Sequence, residues 1–487
     1  MTQLQERPWL AQVPTGLSIG GSWRPGSRPE TIPVADPATE QVLAEVADAS
    51  PEDGLLAVDA ASAALSGWAG TPPRQRGEVL RRAYELMTER REQLAELIVL
   101  ENGKALTDAR GEVAYAAEFF RWYGEEAVRG TGTVQTAPSG TNKILVLRQP
   151  IGVAVLVTPW NFPAAMMTRK IGPALAAGCT VVVKPATETP LTALAIVALL
   201  EEAGVPPGVV NCLTTRTAGQ VVSAMLDDPR VRKLSFTGST PVGRRLLASA
   251  AESVVSCSME LGGNAPLLVL ADADLDAAVR GAMVAKMRNG GSACTAANRL
   301  YVHASIEREF AERMARAMSV LTVGPGLEPG VDVGPMVNRV ERDKVDELVS
   351  GAVDGGAQVL TGGSSPDRRG WFYAPTVLSE VAADAAILRE EIFGPVAPIV
   401  PFDDVDEAIA MANDTEYGLV SYVFTSDLAK GLAVSERLDS GMVGLNRGVI
   451  SDPAAPFGGT KQSGVGREGG HEGMLEYLES KYIAVDW

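Results

Sequence analysis

Between residues 152 and 236 the sequence repeats one rhythm: a short apolar run, a turn, then a stretch with helical periodicity. The predicted strands cover 152–157, 180–183, 209–213 and 231–236, and the predicted helices 163–177, 191–204 and 219–226. The runs are apolar nearly throughout rather than at alternate positions, which marks strands buried on both faces. Strands alternating with helices imply a parallel sheet covered on both sides, the architecture of nucleotide-binding domains. A second α/β run extends from about 265 to 443. The tail from 458 to 487 is Gly-rich, then helical, and closes with a strand-like 482–485.

Upstream, Thr71-Pro72-Pro73 reads as a helix start, with Leu80, Ala83, Met87, Leu94, Leu97 and Ile98 recurring at helical spacing. A second helix is expected over 111–127. Alternating Ile144 and Val146 between 141 and 149 predict an exposed strand, one arm of a hairpin.

Composition narrows the function classes. With 43 basic against 60 acidic residues the formal charge is -17, which disfavours nucleic acid and anionic membranes as partners. The same charge repels anionic small molecules, so an acidic substrate needs a local cluster of Arg or Lys. The segment Met1 to Ala11 is polar, unlike a secretory signal, and no run approaches the roughly 20 apolar residues of a membrane span. Four scattered cysteines form no disulfide framework and point to a reducing cytoplasm. Two histidines, with no CxxC or HExxH spacing, make a metal site unexpected.

The residues that can carry chemistry cluster in a few motifs. Cys294 sits in Asn289-Gly-Gly-Ser-Ala-Cys-Thr-Ala-Ala-Asn-Arg299, where small neighbours leave a thiol uncrowded. Read locally, a nucleophile and a buried loop cysteine are equally consistent. A Cys–His hydrolase is the other nucleophilic reading, but neither His303 nor His471 has an evident base role. Glu260, between Met259 and Leu261, is either a desolvated general base or an exposed loop carboxylate. Thr158-Pro-Trp-Asn-Phe-Pro163 follows a predicted strand, which sets Asn161 at the carboxyl edge of the sheet as an oxyanion donor or an ordinary Asn turn. Lys184-Pro-Ala-Thr-Glu-Thr-Pro190 and Phe236-Thr-Gly-Ser-Thr-Pro-Val-Gly243 repeat the strand–turn–helix corner, with Gly238 and Ser239 suited to a pyrophosphate. Gly464-Val-Gly-Arg-Glu-Gly469 matches the dinucleotide pattern GxGxxG, yet no apolar strand precedes it, and it is expected to be a flexible loop.

In the same order and over nearly the whole chain, these motifs resemble the aldehyde dehydrogenase superfamily. Further matches are Glu390-Glu-Ile-Phe-Gly-Pro395 and Pro456-Phe-Gly-Gly459. The resemblance implies an α/β aldehyde dehydrogenase fold: a Rossmann-type cofactor domain (1–130 and 150–261), an α/β catalytic domain (262–458) and a β-arm for oligomerisation (131–149 and 459–487). It implies Cys294 as nucleophile, Glu260 as base, and Asn161 with the Cys294 amide as oxyanion hole. It also implies cofactor contacts from Trp160, Lys184, Thr187, Gly238, Ser239, Leu261, Glu391 and Phe393, and assembly as a homodimer or homotetramer.

Within the superfamily the chain looks most like succinate-semialdehyde dehydrogenases, whose substrate carboxylate is held by two arginines and a serine. The matching residues are Arg169, Arg288 and Ser451. Arginine's planar fork suits a carboxylate. Other ω-carboxylated or short hydroxy aldehydes (glutarate semialdehyde, 2,5-dioxovalerate, glycolaldehyde) are the nearest rival substrates, and a cysteine esterase or acyltransferase is the rival reaction. Thr187 stands where NAD-preferring members carry a Glu for the ribose hydroxyls, which favours NADP, or use of both, over strict NAD. Ser292 replaces the family's usual Gln two residues before the nucleophile.

Overall fold

The computed structural model describes residues 7–486; residues 1–6 of the polar N-terminal segment and Trp487 lie outside that range. Two large sheets dominate. The first runs Ser22–Arg24, Leu17–Ile19, Val210–Cys212, Thr180–Lys184, Val153–Val157, Val231–Thr237, Ser256–Glu260, Gly464–Val465 in spatial order. Its five central strands are parallel, and the added strands at either side run antiparallel. Val153–Val157 and Thr180–Lys184 are buried at every residue, as continuous apolar runs with helices on both faces must be.

The second sheet is ordered Gln358–Thr361, Thr376–Ser379, Val396–Phe402, Ala297–His303, Ala265–Val269, Val420–Phe424, Met442–Leu445. It is parallel except at the Gln358–Thr361 edge. A separate three-stranded antiparallel sheet joins Leu478–Val485, Lys143–Pro150 and Thr133–Thr136.

The predicted strands and helices between 152 and 236 fall on the observed ones to within about two residues. The one helix expected after Thr71-Pro72-Pro73, with its apolar positions from Leu80 to Ile98, is split at Arg90 into Pro73–Glu89 and Arg91–Asn102, and the following helix starts at Leu106 rather than 111. Of the tail expected to form part of an arm, only Leu478–Val485 pairs with Lys143–Pro150. Gly464–Val465 instead extends the first sheet alongside Met259 and Glu260. The GxGxxG stretch is therefore no flexible loop. Gly464 has φ +148°, and a β-carbon there would stand 2.0 Å from the Met259 carbonyl oxygen, so glycine is required by strand pairing and not by a phosphate.

Candidate active site

The first sheet delivers the site residues at its carboxyl edge. Val153–Val157 ends just before Thr158-Pro-Trp-Asn161, Thr180–Lys184 ends on Lys184, Val231–Thr237 leads into Gly238 and Ser239, and Ser256–Glu260 ends on Glu260. Cys294 comes from the other side, in the loop between the helix Leu275–Met287 and the strand Ala297–His303. The loop is shaped by three successive residues with positive φ, Asn289 at 54°, Gly290 at 58° and Gly291 at 82°. Asn is among the few side chains that tolerate that region, and here its amide donates to the carbonyls of Asn161 (2.8 Å) and Ser292 (2.9 Å). A β-carbon at Gly263 would lie 2.4 Å from the Cys294 carbonyl oxygen. Only a glycine lets the two halves approach this closely.

A cavity of about 170 Å³ opens between them, lined among others by Trp160, Asn161, Gly238, Ser239, Leu261, Cys294, Glu391 and Phe393. The Asn161 side-chain amide donates to the Ser292 carbonyl at 3.1 Å, leaving its second N–H for another acceptor. Ser292, at the place of the usual Gln, donates its hydroxyl to the Phe393 carbonyl at 3.1 Å. Phe393 has φ +56°, an uncommon conformation for an aromatic residue, and meets Trp160 edge-on at 5.3 Å between centroids. The serine thus ties the nucleophile loop to the strained wall opposite.

Burial pushes the Cys294 thiol up to about 12, against the nearby Arg169 charge and together with Glu391 and Glu260. The thiol is therefore protonated at neutral pH in the cofactor-free protein. Glu260 is 3% exposed, and its Oε2 has no hydrogen-bond partner. Burial holds its carboxyl well above the usual carboxylate range, reinforced by the charge of Glu468 and opposed by Arg169 and Lys170. Desolvation outweighs two neighbouring cations because Glu468 already answers them. Its carboxylate pairs with Lys170 and lies 2.8 Å from Arg169 Nε. Burial would raise Glu468 too, but the Lys170 and Arg169 charges hold it below its ordinary value.

The arginines divide in role. Arg169 is 1% exposed, paired with Glu468 and stacked 4.2 Å over the Phe457 ring. Arg288 is half-buried, lies 4.8 Å over the Phe162 ring and donates from Nη1 to the Ser451 hydroxyl at 3.3 Å. Arg288 and Ser451, far apart in sequence, thus meet directly, whereas Arg169 sits deeper, with its charge already answered.

The residues at this sheet edge suit the phosphates of a dinucleotide. The helix Thr240–Glu252 begins at Ser239, whose side chain makes no capping bond, so its first amides and positive end face outward. A β-carbon at Gly238 would stand 2.5 Å from the Phe236 ring, and Thr237 Oγ1 is buried without a partner beside it. Lys184 is 7% exposed, its ammonium lowered by burial against the charge of Glu188. The Thr187 hydroxyl donates to the Thr215 carbonyl at 3.2 Å. Glu391 accepts from the Gly263 amide at 3.1 Å, and burial raises it to about 7. No group of three or more metal-ligating side chains exists among the described residues.

Sequence reasoning missed Lys170 and Glu468. The available signal was two adjacent cations, Arg169 and Lys170, in the helix Ala165–Ala177, buried at every residue. Such charges need a buried anion, but nothing local identifies an acid about 300 residues away.

A cysteine loop, a buried carboxylate and a side-chain amide brought together at the edge of a dinucleotide-type sheet mark the class, and the chain belongs to the aldehyde dehydrogenase family, whose pattern matches residues 23–483. Among its relatives, the succinate-semialdehyde dehydrogenase of Paenarthrobacter nicotinovorans is 53% identical over 444 residues, covering 91% of this chain and 99% of that protein. The glutarate-semialdehyde dehydrogenase of Pseudomonas aeruginosa is 46% identical, covering 96% of each chain. The NADP(+) succinate-semialdehyde dehydrogenase of Escherichia coli is also 46% identical, covering 96% of this chain and 97% of that protein. The crystal structure of succinate-semialdehyde dehydrogenase from Burkholderia pseudomallei superposes with a TM-score of 0.97 at 44% identity, covering 99% of both chains.

Proposed function

We propose that this protein oxidises succinate semialdehyde to succinate with NADP or NAD, through a covalent adduct on Cys294. The observation that carries the reading is the shared cleft. Cys294, Asn161 and Leu261 line it, Glu260 precedes Leu261 with its Oε2 buried and unpartnered, and Arg288, in the loop that carries Cys294, meets Ser451. The Cys294 sulfur loses its proton to solvent and attacks the aldehyde carbon, and the free N–H of Asn161 with the Cys294 backbone amide receives the oxyanion. A bound nicotinamide supplies the hydride acceptor, leaving a thioester on Cys294. Glu260 then removes a proton from water, which attacks the thioester and releases the acid.

Arg288 and Ser451 bind the distal carboxylate, with Arg169 adding charge from behind. Arg288→Ala is expected to raise KM for succinate semialdehyde about 10- to 100-fold, the loss of a hydrogen bond to a charged group. KM for butanal should hardly move. Equal effects on the two aldehydes would remove the clamp. The glutarate-semialdehyde relative keeps a five-carbon substrate as the second reading, and initial rates with the four- and five-carbon semialdehydes decide between them.

On the cofactor, Thr187 brings no carboxylate to repel a 2′-phosphate and Lys184 offers a cation, which supports NADP. Thr187→Glu should lower kcat/KM with NADP at least about tenfold through like-charge repulsion and spare NAD. A loss shared by both cofactors would show that Thr187 does not read the phosphate.

The remaining assignments follow from this reading. The first sheet forms the core of a cofactor domain (1–130 and 150–261), and the second that of a catalytic domain (262–458). The three-stranded sheet, with Val134 66% and Tyr482 59% exposed, coincides with the arm segments 131–149 and 459–487 apart from Pro150 and pairs with another copy in a homodimer or homotetramer. Four free thiols support a reducing cytoplasm, and no helix among the described residues is long and apolar enough to cross a membrane.

A further inference from the structure

We propose that Tyr115 is an additional substrate-binding residue, its phenolic hydroxyl donating a hydrogen bond to the distal carboxylate of the substrate; this rests on the ω-carboxylated aldehyde reading above. Tyr115 lies on the helix Leu106–Glu126, and its hydroxyl oxygen is buried without a hydrogen-bond partner. Native proteins rarely leave a buried hydroxyl unpaired, because it forfeits its bonds to water. Two other tyrosine hydroxyls share that status but have polar neighbours: Tyr123 lies against the Gly469 backbone and Tyr373 beside Asp346.

The surroundings of Tyr115 are cationic instead. The Arg288 guanidinium lies 5.7 Å from its ring centroid, and Arg169 is close enough to interact electrostatically with Tyr115. A guanidinium has no acceptor, so neither arginine can take the phenolic hydrogen. What fits beside the Arg288 guanidinium and an O–H donor is an anion. The nearby carboxylates are already engaged: Asp108 accepts from the Asn289 amide at 3.0 Å, and Glu468 is paired with Arg169 and Lys170. The ring is held edge-on against Phe119 at 4.9 Å, so its direction is fixed before substrate arrives. A carboxylate accepts up to four bonds, enough for Arg288, Ser451 and Tyr115 together.

The test is Tyr115→Phe, which keeps the ring and removes the donor. KM for succinate semialdehyde should rise about tenfold with kcat little changed, while KM for butanal stays within about twofold. Calorimetric binding of succinate to the cofactor-free protein should weaken by a similar factor. Phe119→Leu, which loosens the contact that aims the ring, should give the same selective loss at smaller size and serves if the first variant does not fold. Unchanged succinate binding, or equal losses on charged and neutral aldehydes, would overturn the assignment. Arg288→Ala measured in parallel separates the failures. If Arg288→Ala is selective and Tyr115→Phe is not, Tyr115 alone is wrong; if neither is selective, the carboxylate clamp falls with it.

Discussion

Cys294→Ala is expected to abolish aldehyde oxidation, lowering turnover by at least about 10⁴-fold as loss of a covalent nucleophile does, and to leave dinucleotide binding intact. The loss is complete in kind because no other thiol reaches the cleft: Cys179 and Cys212 are 0% exposed, and Cys257 lies within the first sheet beside Leu234. The resting state of Cys294 gives a second readout. With the thiol pushed up to about 12, the thiolate fraction at neutral pH is small and grows tenfold with each pH unit, since only deprotonation makes the nucleophile. Alkylation by iodoacetamide in the cofactor-free protein, located by mass spectrometry, should therefore be slow at pH 7 and climb about a hundredfold by pH 9. A flat labelling rate over that window would mean the thiolate is formed before any ligand arrives.

Glu260→Gln should slow steady-state turnover by about 10²- to 10⁴-fold, the range for loss of a general base. The first turnover should still release close to one equivalent of reduced cofactor, because the amide fills the same space but cannot take the proton from water. The pH profile follows from the sign of the shift. A carboxyl raised above its ordinary 4.5 is protonated, and useless as a base, at acidic pH, and gains function as pH rises through its elevated value. The wild-type kcat should show that rising limb above pH 4.5, and the variant should lack it. A variant with normal steady-state turnover would transfer the base role elsewhere.

The parts of the molecule legible in the sequence are those whose physics is local. Strands such as Val153–Val157 announce themselves because every residue must be apolar, and the corners after them follow from strand ends meeting helix starts. Cys294, Glu260 and Asn161 stood out through short motifs. Less legible was anything assembled across distance. The glycine-rich 464–469 looked mobile because its partner strand, Ser256–Glu260, is about 200 residues earlier, and its order comes from pairing with Met259 and Glu260. The pairing of Glu468 with Lys170 spans nearly 300 residues, so no window of sequence contains it. The division of labour between Arg169 and Arg288 was likewise invisible, since both are arginines near the same motifs and only burial separates them.

The C-terminal segment carries a consequence for how the site is completed. Ser463 accepts from the Leu261 amide through its carbonyl and donates its hydroxyl to the Gly262 carbonyl, while Glu468 supplies the anion that balances the cations behind the base. A chain in which this segment has not yet docked lacks both, so the cations behind Glu260 stay unanswered until the strand Gly464–Val465 pairs with Met259 and Glu260.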